Sequence, residues 1–292
     1  MAASCEPVRV DPERVRGLQL LIDADAAPLG EGDVLPPLWH WVGLPRWLDP
    51  DTTGNDGHPR RSGPLAGVTA VRRRFAGGEV TFSGEPLRVG QAVTVDTEVT
   101  GVTTKSGRSG DFVLATFTSK LSDGAGDVVV TERQDVVYAD PRPAPVGVEV
   151  PQGGLPVVGR PLVPIPDGGF ELATDPTILM RFSALTANGH RIHYDLDYAR
   201  EVEKLPGLLV QGPFMNLALV HTARTVFPGA RVRRITHRNL SPLYCGQPAR
   251  LAGHEEEPGV VVAEVTGPGD ERTAVKGRVT VELDDTPERT QP

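Results

Sequence analysis

"FMNLALVHTARTVF", Phe214 to Phe227, decides the fold. Phe214, Met215, Leu217, Ala218, Leu219, Val220, Ala223, Val226 and Phe227 cover nearly the whole circumference of a helix, so this helix reads as buried on all sides. Pro213 stands at a first-turn position, where its missing N–H leaves nothing unpaired, and Pro228-Gly229 ends the helix. Downstream, "ARLAGHEEE", "VVVAEVTG" and "TAVKGRVTVEL" alternate apolar and polar residues between turn residues, the pattern of hairpin-connected strands. An antiparallel sheet wrapped round one apolar helix is the implied unit, and its class is α+β.

The unit is expected twice. "PLYCGQ" (Pro242 to Gln247) has a counterpart 156 residues upstream in "PLRVGQ" (Pro86 to Gln91). The upstream phrase is also followed by three strand-like runs, "AVTVDTEVTGV", "DFVLATFTSKL" and "VVVTERQDVVY". A shared phrase leading into three strands on both occasions argues for duplication. Between the halves, "PRPAPVGVEVPQGGLPVVGRPLVPIP" (Pro141 to Pro166) carries eight prolines, which exclude a helix or a central strand. The expected division is a first domain at 1–140, a linker at 141–168, a second domain at 169–285 and a tail at 286–292. In the first half, 156 residues before the buried helix, stands "WLDPDTTGNDGHPRRSGPLAG", too rich in breakers to be helical. The N-terminal copy is expected to have lost that helix, with its helical content in "DPERVRGLQLLIDAD", capped by Asp11 and Pro12.

Composition excludes several function classes. A net charge of -8 and a pI near 5.4 argue against phosphate-backbone binding, so no nucleic-acid partner is expected. Cys5 and Cys245 are the only cysteines, which fits a reduced compartment with neither a disulfide framework nor a cysteine zinc site. The N-terminus lacks a signal pattern, and no apolar run approaches the roughly 18 residues that span a bilayer. A soluble, cytoplasmic protein with no membrane partner is expected.

Chemistry concentrates in "NGHRIHYD", Asn188 to Asp195. A metal would need a third ligand at a recognisable spacing, and none accompanies the two histidines, so no metal is expected. Asp195 reads as the cap of a short helix through "LDYAREVEK" that stops at Pro206-Gly207. "HEEE" at His254 to Glu257 reads as a solvated hairpin loop, and "VRRRF" (71–75) and "RVRRITHR" (231–238) as polar strand faces. Trp39, Trp41 and Trp47 are core or subunit-contact residues, or the lining of an acyl tunnel. Cys245, inside the repeated turn phrase, is a packing residue.

"SALTANGHRIHYDLDYA", "GLLVQGP", "PPLWHWVGLPRW", "GHPRRSGPL" and "LRVGQAV...KSGRSGDFV" together resemble the MaoC-like double hot-dog hydratases. The similarity is to their hydroxyacyl-thioester dehydratase type 2 group, which includes mesaconyl-CoA and itaconyl-CoA hydratases. That resemblance implies two hot-dog sheets, each wrapping a helix, the N-terminal helix degenerate. It also implies reversible R-specific hydration of enoyl thioesters carried on CoA or acyl carrier protein, without a cofactor. R-specific hydratases of this kind show an acid and a histidine in D-x-N-P-x-H. Here His193 matches the histidine, and Asn188, which cannot exchange a proton at neutral pH, stands at the acid.

Hydrating an enoyl thioester needs a base for water, an acid for the α-carbon and a hole for the enolate oxygen. His193 is the expected general acid/base, since imidazole titrates near neutral pH. Asn188 would orient the water, and His190 would share the proton work or fix the loop. Backbone amides at Gly212, with Gln211 beside it, would hold the enolate at the helix N-terminus. Arg191 would pair with a phosphate of the carrier or with an acid on its own surface, and the two arginine-rich strands could meet the same anionic group. An arginine in the acyl pocket would favour a dicarboxyl substrate, an all-apolar tunnel a fatty or polyketide chain. The competing classes are a non-catalytic thioester-binding subunit and a thioesterase, for which no carboxylate is evident beside the motif. Monomer and homodimer are both open.

Overall fold

Each alternating run becomes a strand in a computed structural model of the chain, which describes residues 6–44, 47–107, 110–142, 148–151, 154–166, 168–270 and 274–284. The first half contributes β1 (Val8–Arg9), β2 (Arg72–Phe82), β3 (Ala92–Gly107), β4 (Gly110–Ser122) and β5 (Val128–Ala139). The second contributes β6 (Leu162–Pro164), β7 (Phe170–Leu172), β8 (Val232–Asn239), β9 (Ala249–Glu257), β10 (Val260–Thr266) and β11 (Val275–Leu283). All join one antiparallel sheet in the order β1-β3-β4-β5-β2-β8-β11-β10-β9-β7-β6. The halves meet where β2 pairs with β8, Gly78 opposite His237.

Four helices accompany the sheet among the described residues: α1 (Pro12–Ile22), α2 (His40–Gly43), α3 (Pro176–Leu185) and α4 (Gly212–Val226). The apolar circumference of α4 is satisfied on every side. It packs along β9, β10 and β11, and Phe214 meets Phe182 of α3 at a ring separation of 5.0 Å. Phe214, Leu217, Ala218 and Leu219 are essentially inaccessible to water. Each large apolar side chain so placed contributes about 1.5–3 kcal/mol.

The repeated phrase builds the same turn twice. Gly90 and Gly246 both sit at φ +81°, a conformation that favours glycine. Gln91 Oε1 accepts from the Arg88 amide and Gln247 Oε1 from the Tyr244 amide, each at 2.9 Å. Each turn also seats the segment leading to a helix: Leu35 N donates to Leu87 O, and Val210 N to Leu243 O. This equivalence places α2 where α4 stands in the second half. The N-terminal helix is degenerate as expected, reduced to one turn, and it lies further upstream than a fixed offset suggests. The breaker-rich stretch from Trp47 to Gly67 then runs without α-helix, through 3-10 turns at Pro50–Thr52 and Gly63–Leu65, and crosses to the second half. α1 is capped by Asp11 as expected, while α3, capped in the same way by Asp175, was not anticipated.

Among the described residues of the proline-rich segment, only β6 forms, as an end strand, where a proline can be tolerated. Val148 and Val150 pack against a small apolar cluster around Ile192, Tyr198 and Leu209. The tail at 286–292 lies outside the described residues. His254 to Glu257 belong to the exposed end of β9, which corrects the loop reading; the turn is Pro258-Gly259. Trp39 is core, Trp41 half-buried, and Trp47 exposed beneath the Arg14 guanidinium. Among the described residues no helix is long and apolar enough to cross a membrane.

Candidate active site

A cavity of about 720 Å³ opens between the halves, with apolar walls from Phe182, Ile192, Leu209 and Met215 and a polar end. That end begins where α3 stops. Ala187 takes a positive φ of 51°, and Asn188 then folds an Asx turn, its Oδ1 accepting from the His190 amide at 3.0 Å. A 3-10 turn over Arg191–His193 carries His193 inward, where it is 6% exposed. His193 Nδ1 lies 2.6 Å from Leu209 O. Only a protonated nitrogen can donate to a carbonyl, so Nδ1 carries the hydrogen and Nε2 keeps a lone pair. Burial, aided by the nearby His190, lowers the pKa of His193 to about 3, so the ring is neutral at ordinary pH.

The chain next makes a π turn over Tyr198–Val202 instead of the expected α-helix. Its i→i+5 bond, from Glu203 N to Tyr198 O at 3.2 Å, and the positive φ of Lys204 turn Glu203 inward. Glu203 is completely buried; one carboxylate oxygen lies 3.2 Å from His190 Nε2, the other 2.7 Å from Arg74 Nη2. Burial works to raise its pKa, but His190 and Arg74 more than offset this and hold it below the ordinary carboxylate value. His190 is held below its usual pKa by burial, against the opposing pull of Glu203. A carboxylate therefore does stand beside the motif, which corrects the reading that none is evident. Glu203 carried no sequence signal, because only the π turn distinguishes it from the exposed acids around it.

The first half supplies the third histidine. His58, on the loop that replaces the missing helix turns, packs its ring 4.6 Å from that of His190, which is 5.5 Å from that of His193. Asp56 O accepts from the Arg191 amide at 3.0 Å, and Asn55 O accepts from the Arg191 guanidinium. The two loops touch backbone to backbone: a β-carbon on Gly189 would lie 2.7 Å from Gly57 O. Gly57 itself has φ +87°, and a β-carbon there would strike the Gly189 carbonyl closer still. "GHPRRSGPL" was quoted for resemblance, yet nothing in it indicated that His58 reaches a site 130 residues away in sequence.

Three arginines of β2, Arg72, Arg73 and Arg74, line the same end of the cavity. Arg72 donates to the carbonyls of Glu203 and Arg142, Arg74 pairs with Glu203, and Arg73 Nη1 donates to the His58 ring, 2.9 Å from Nε2. Burial, then the Arg73 charge, push the pKa of His58 well below its usual value.

Of the six residues expected from the sequence, His193, His190, Asn188 and Gly212 line the cavity. For the other two, Arg191 takes the acid-pairing alternative expected of it, and the Gln211 side chain turns into the packing. Arg191 is bound to Asp195 at 2.7 Å and lies over the Tyr198 ring, away from the cavity lining; it ties the motif to the first half. Gln211 is fully buried, and its Nε2 donates to Leu179 O and Ser183 Oγ, so its side chain anchors α3 to α4. Asn188 Oδ1 already accepts from the His190 amide, and its Nδ2 group is the donor it can offer a water. Gly212 also has a packing reason, for a β-carbon there would meet Asn239 Nδ2 at 2.8 Å. Asp195 caps as expected, accepting from the Tyr198 amide. Cys245 is buried, with its thiol pushed up to about 12 by burial. Among the described residues no group of three or more His, Cys, Asp or Glu side chains is placed to hold a metal.

The architecture is that of the double hot-dog dehydratases. A MaoC-like dehydratase from Phytophthora capsici superposes with a TM-score of 0.69 at 18% identity, over 97% of this chain and 95% of that one. A Mycobacterium tuberculosis protein described as having a double hotdog fold superposes at 0.57, with 16% identity over 96% and 94%. Residues 38–245 match the model of the hydroxyacyl-thioester dehydratase type 2 family, and the chain belongs to that family. It is 39% identical over 229 residues to the mesaconyl-C(4)-CoA hydratase of Chloroflexus aurantiacus, covering 74% of each chain. Proteins so named are hydro-lyases, and this chain is an enzyme of that class.

Proposed function

We propose that the protein reversibly hydrates 2-enoyl-CoA thioesters to 3-hydroxyacyl-CoA thioesters, R-specifically as in the enzymes it resembles, with His193 as the general acid/base. The observation that carries this reading is the tautomer of His193. Its Nδ1–H is spent on Leu209 O, so the lone pair of Nε2 is available to a water in the cavity. Nε2 takes a proton from that water as its oxygen bonds to the β-carbon. The double-bond electrons move through the α-carbon onto the thioester oxygen. As the enolate collapses, the proton on Nε2 passes to the α-carbon, and water has been added with every atom accounted for. His190, oriented by Glu203, stands beside His193 and fixes the loop that carries it. The Asn188 Nδ2 group donates to the water oxygen, and the amide end of α4 at Gly212 receives the enolate. Glu203 answers the acid that Asn188 cannot provide, which favours an enzyme over a binding subunit; locked between His190 and Arg74, it is not disposed as a thioesterase nucleophile.

Loss of the conjugated enoyl-thioester absorbance tests the proposal, with crotonyl-CoA and mesaconyl-CoA as substrates. His193→Ala should lower the rate by about 10²- to 10⁴-fold with the fold intact by circular dichroism. An undiminished rate would remove His193 from the mechanism, and an (S)-hydroxy product would contradict the assigned stereochemistry.

A further inference from the structure

Among the described residues no acid pairs with Arg73. Arg74 has Glu203 and Arg72 has two carbonyls, whereas the contact made by the Arg73 side chain among the described residues is to His58, a neutral ring that takes one of its five donors. Arg73 is half-buried and lines the cavity, where a ligand can take up its remaining donors. Its position narrows what that ligand is. From Arg73 to His58, to His190, to His193 is a chain of direct neighbours, at 2.9 Å and then ring separations of 4.6 and 5.5 Å. The idle cation thus stands at the reacting end of the cavity. The phosphates of CoA are a whole pantetheine arm away from the thioester, so a phosphate does not suit this place.

We propose that Arg73 binds a carboxylate carried by the acyl group itself, next to the double bond, and that His58 is the positioning residue that aims it. The preferred substrate is then a 2-enoyl thioester of a dicarboxylic acid. This rests on the hydratase reading and adds to it the residue that selects the acyl group. The guanidinium grips the carboxylate through two parallel N–H···O bonds while a third N–H remains on His58. His58 reaches Arg73 only because the first half has given up most of a helix and sends its loop across to Gly189.

The test compares two substrates that differ at one end: crotonyl-CoA, ending in a methyl group, and fumaryl mono-CoA thioester, ending in a carboxylate. Native protein should prefer the fumaryl thioester in kcat/KM. Arg73→Met should reduce that ratio about ten- to a hundredfold, the effect of one hydrogen-bonded charge. Arg73→Lys should restore part of it. His58→Ala should also reduce the ratio, and His58→Gln, which can still accept from Arg73, should recover it better than alanine does. Equal losses on both substrates in Arg73→Met would overturn the proposal and place the cation on the CoA portion or in the fold. A native enzyme that hydrates crotonyl-CoA at least as well would overturn the subsite and leave the hydratase reading standing. Native protein inactive on both thioesters would defeat the two together.

Discussion

Gly57→Ala tests whether the first half completes the site or merely covers it. The residue has φ +87°, and an alanine in the positive-φ region costs on the order of 1–2 kcal/mol. The methyl group would also overlap the Gly189 carbonyl oxygen, where an ordinary carbon–oxygen contact is about 3.3 Å, so the two loops must part by about 1 Å or more. Relieving such an overlap costs roughly a further 1–3 kcal/mol. A total of about 2–5 kcal/mol should lower Tm by roughly 4–10 °C in a chain of this size. The kinetic effect should be larger than the thermal one suggests. His58 and His190 sit on the two sides of this contact, and a displacement of about 1 Å at a catalytic constellation costs around 100-fold in rate. The assay is steady-state hydration of an enoyl-CoA beside thermal unfolding, well below the new Tm. Gly67→Ala is the control, since no atom lies within 4 Å of its β-carbon position and its φ is ordinary. A Gly57→Ala enzyme with the native rate, whatever its Tm, would refute the claim that contact between the loops holds the histidines in register.

Two further outcomes are expected. Removing Glu203 as Glu203→Ala strips the buried partner from Arg74 and His190 and should cost about 3–5 kcal/mol, read from chemical denaturation. Glu203→Gln should recover much of that stability yet remain slower than native by about tenfold or more; a fully active glutamine variant would reduce Glu203 to a structural role. The pH dependence of stability follows from the buried histidines. His193 at about 3 and His237 at about 4, with His58 and His190 also lowered by burial, take up protons less readily in the fold than in the unfolded chain, which gains them below about pH 6.5. Stability should be level above that pH and fall as pH drops from 6.5 toward 4. Glu203 and Glu132, whose folded values are lowered, add to the loss at the acid end, below about pH 4.5. Denaturant midpoints at pH 7.5 and pH 5 decide the matter, and equal midpoints would contradict the burial of neutral imidazoles.

The strands and the central helix were legible because each is a local pattern: alternation with turn residues between, and an apolar circumference closed by Pro228-Gly229. The repeated turn was legible because it needs a glycine at positive φ and a glutamine that reaches back, and both recur in the phrase. α3 was not read, since "DPTILMRFSAL" is short and follows a proline-rich run that drew attention to breakers. Position within the motif located His190 and His193, but the partners of these rings are non-local. Glu203 depends on one extra residue in a helical turn, and His58 on a loop crossing between halves; neither leaves a periodicity. The side chains of Arg191 and Gln211 were hard to place for a related reason. They flank the functional residues in sequence, while the 3-10 turn and the helix cap rotate their side chains away from the cavity.

The shortened helix of the first half has a consequence for how such an enzyme changes over generations. The second half holds a complete sheet-and-helix unit, while in the first a single helical turn is followed by a loop that crosses into the neighbouring cavity. Two halves joined in this way are not exchangeable. A second half transplanted onto another first half would keep His190, His193 and Glu203 but inherit a different wall, and with it a different choice of acyl group. If Arg73 and His58 select the acyl group as proposed, substrate preference would travel with the half whose helix is reduced to one turn.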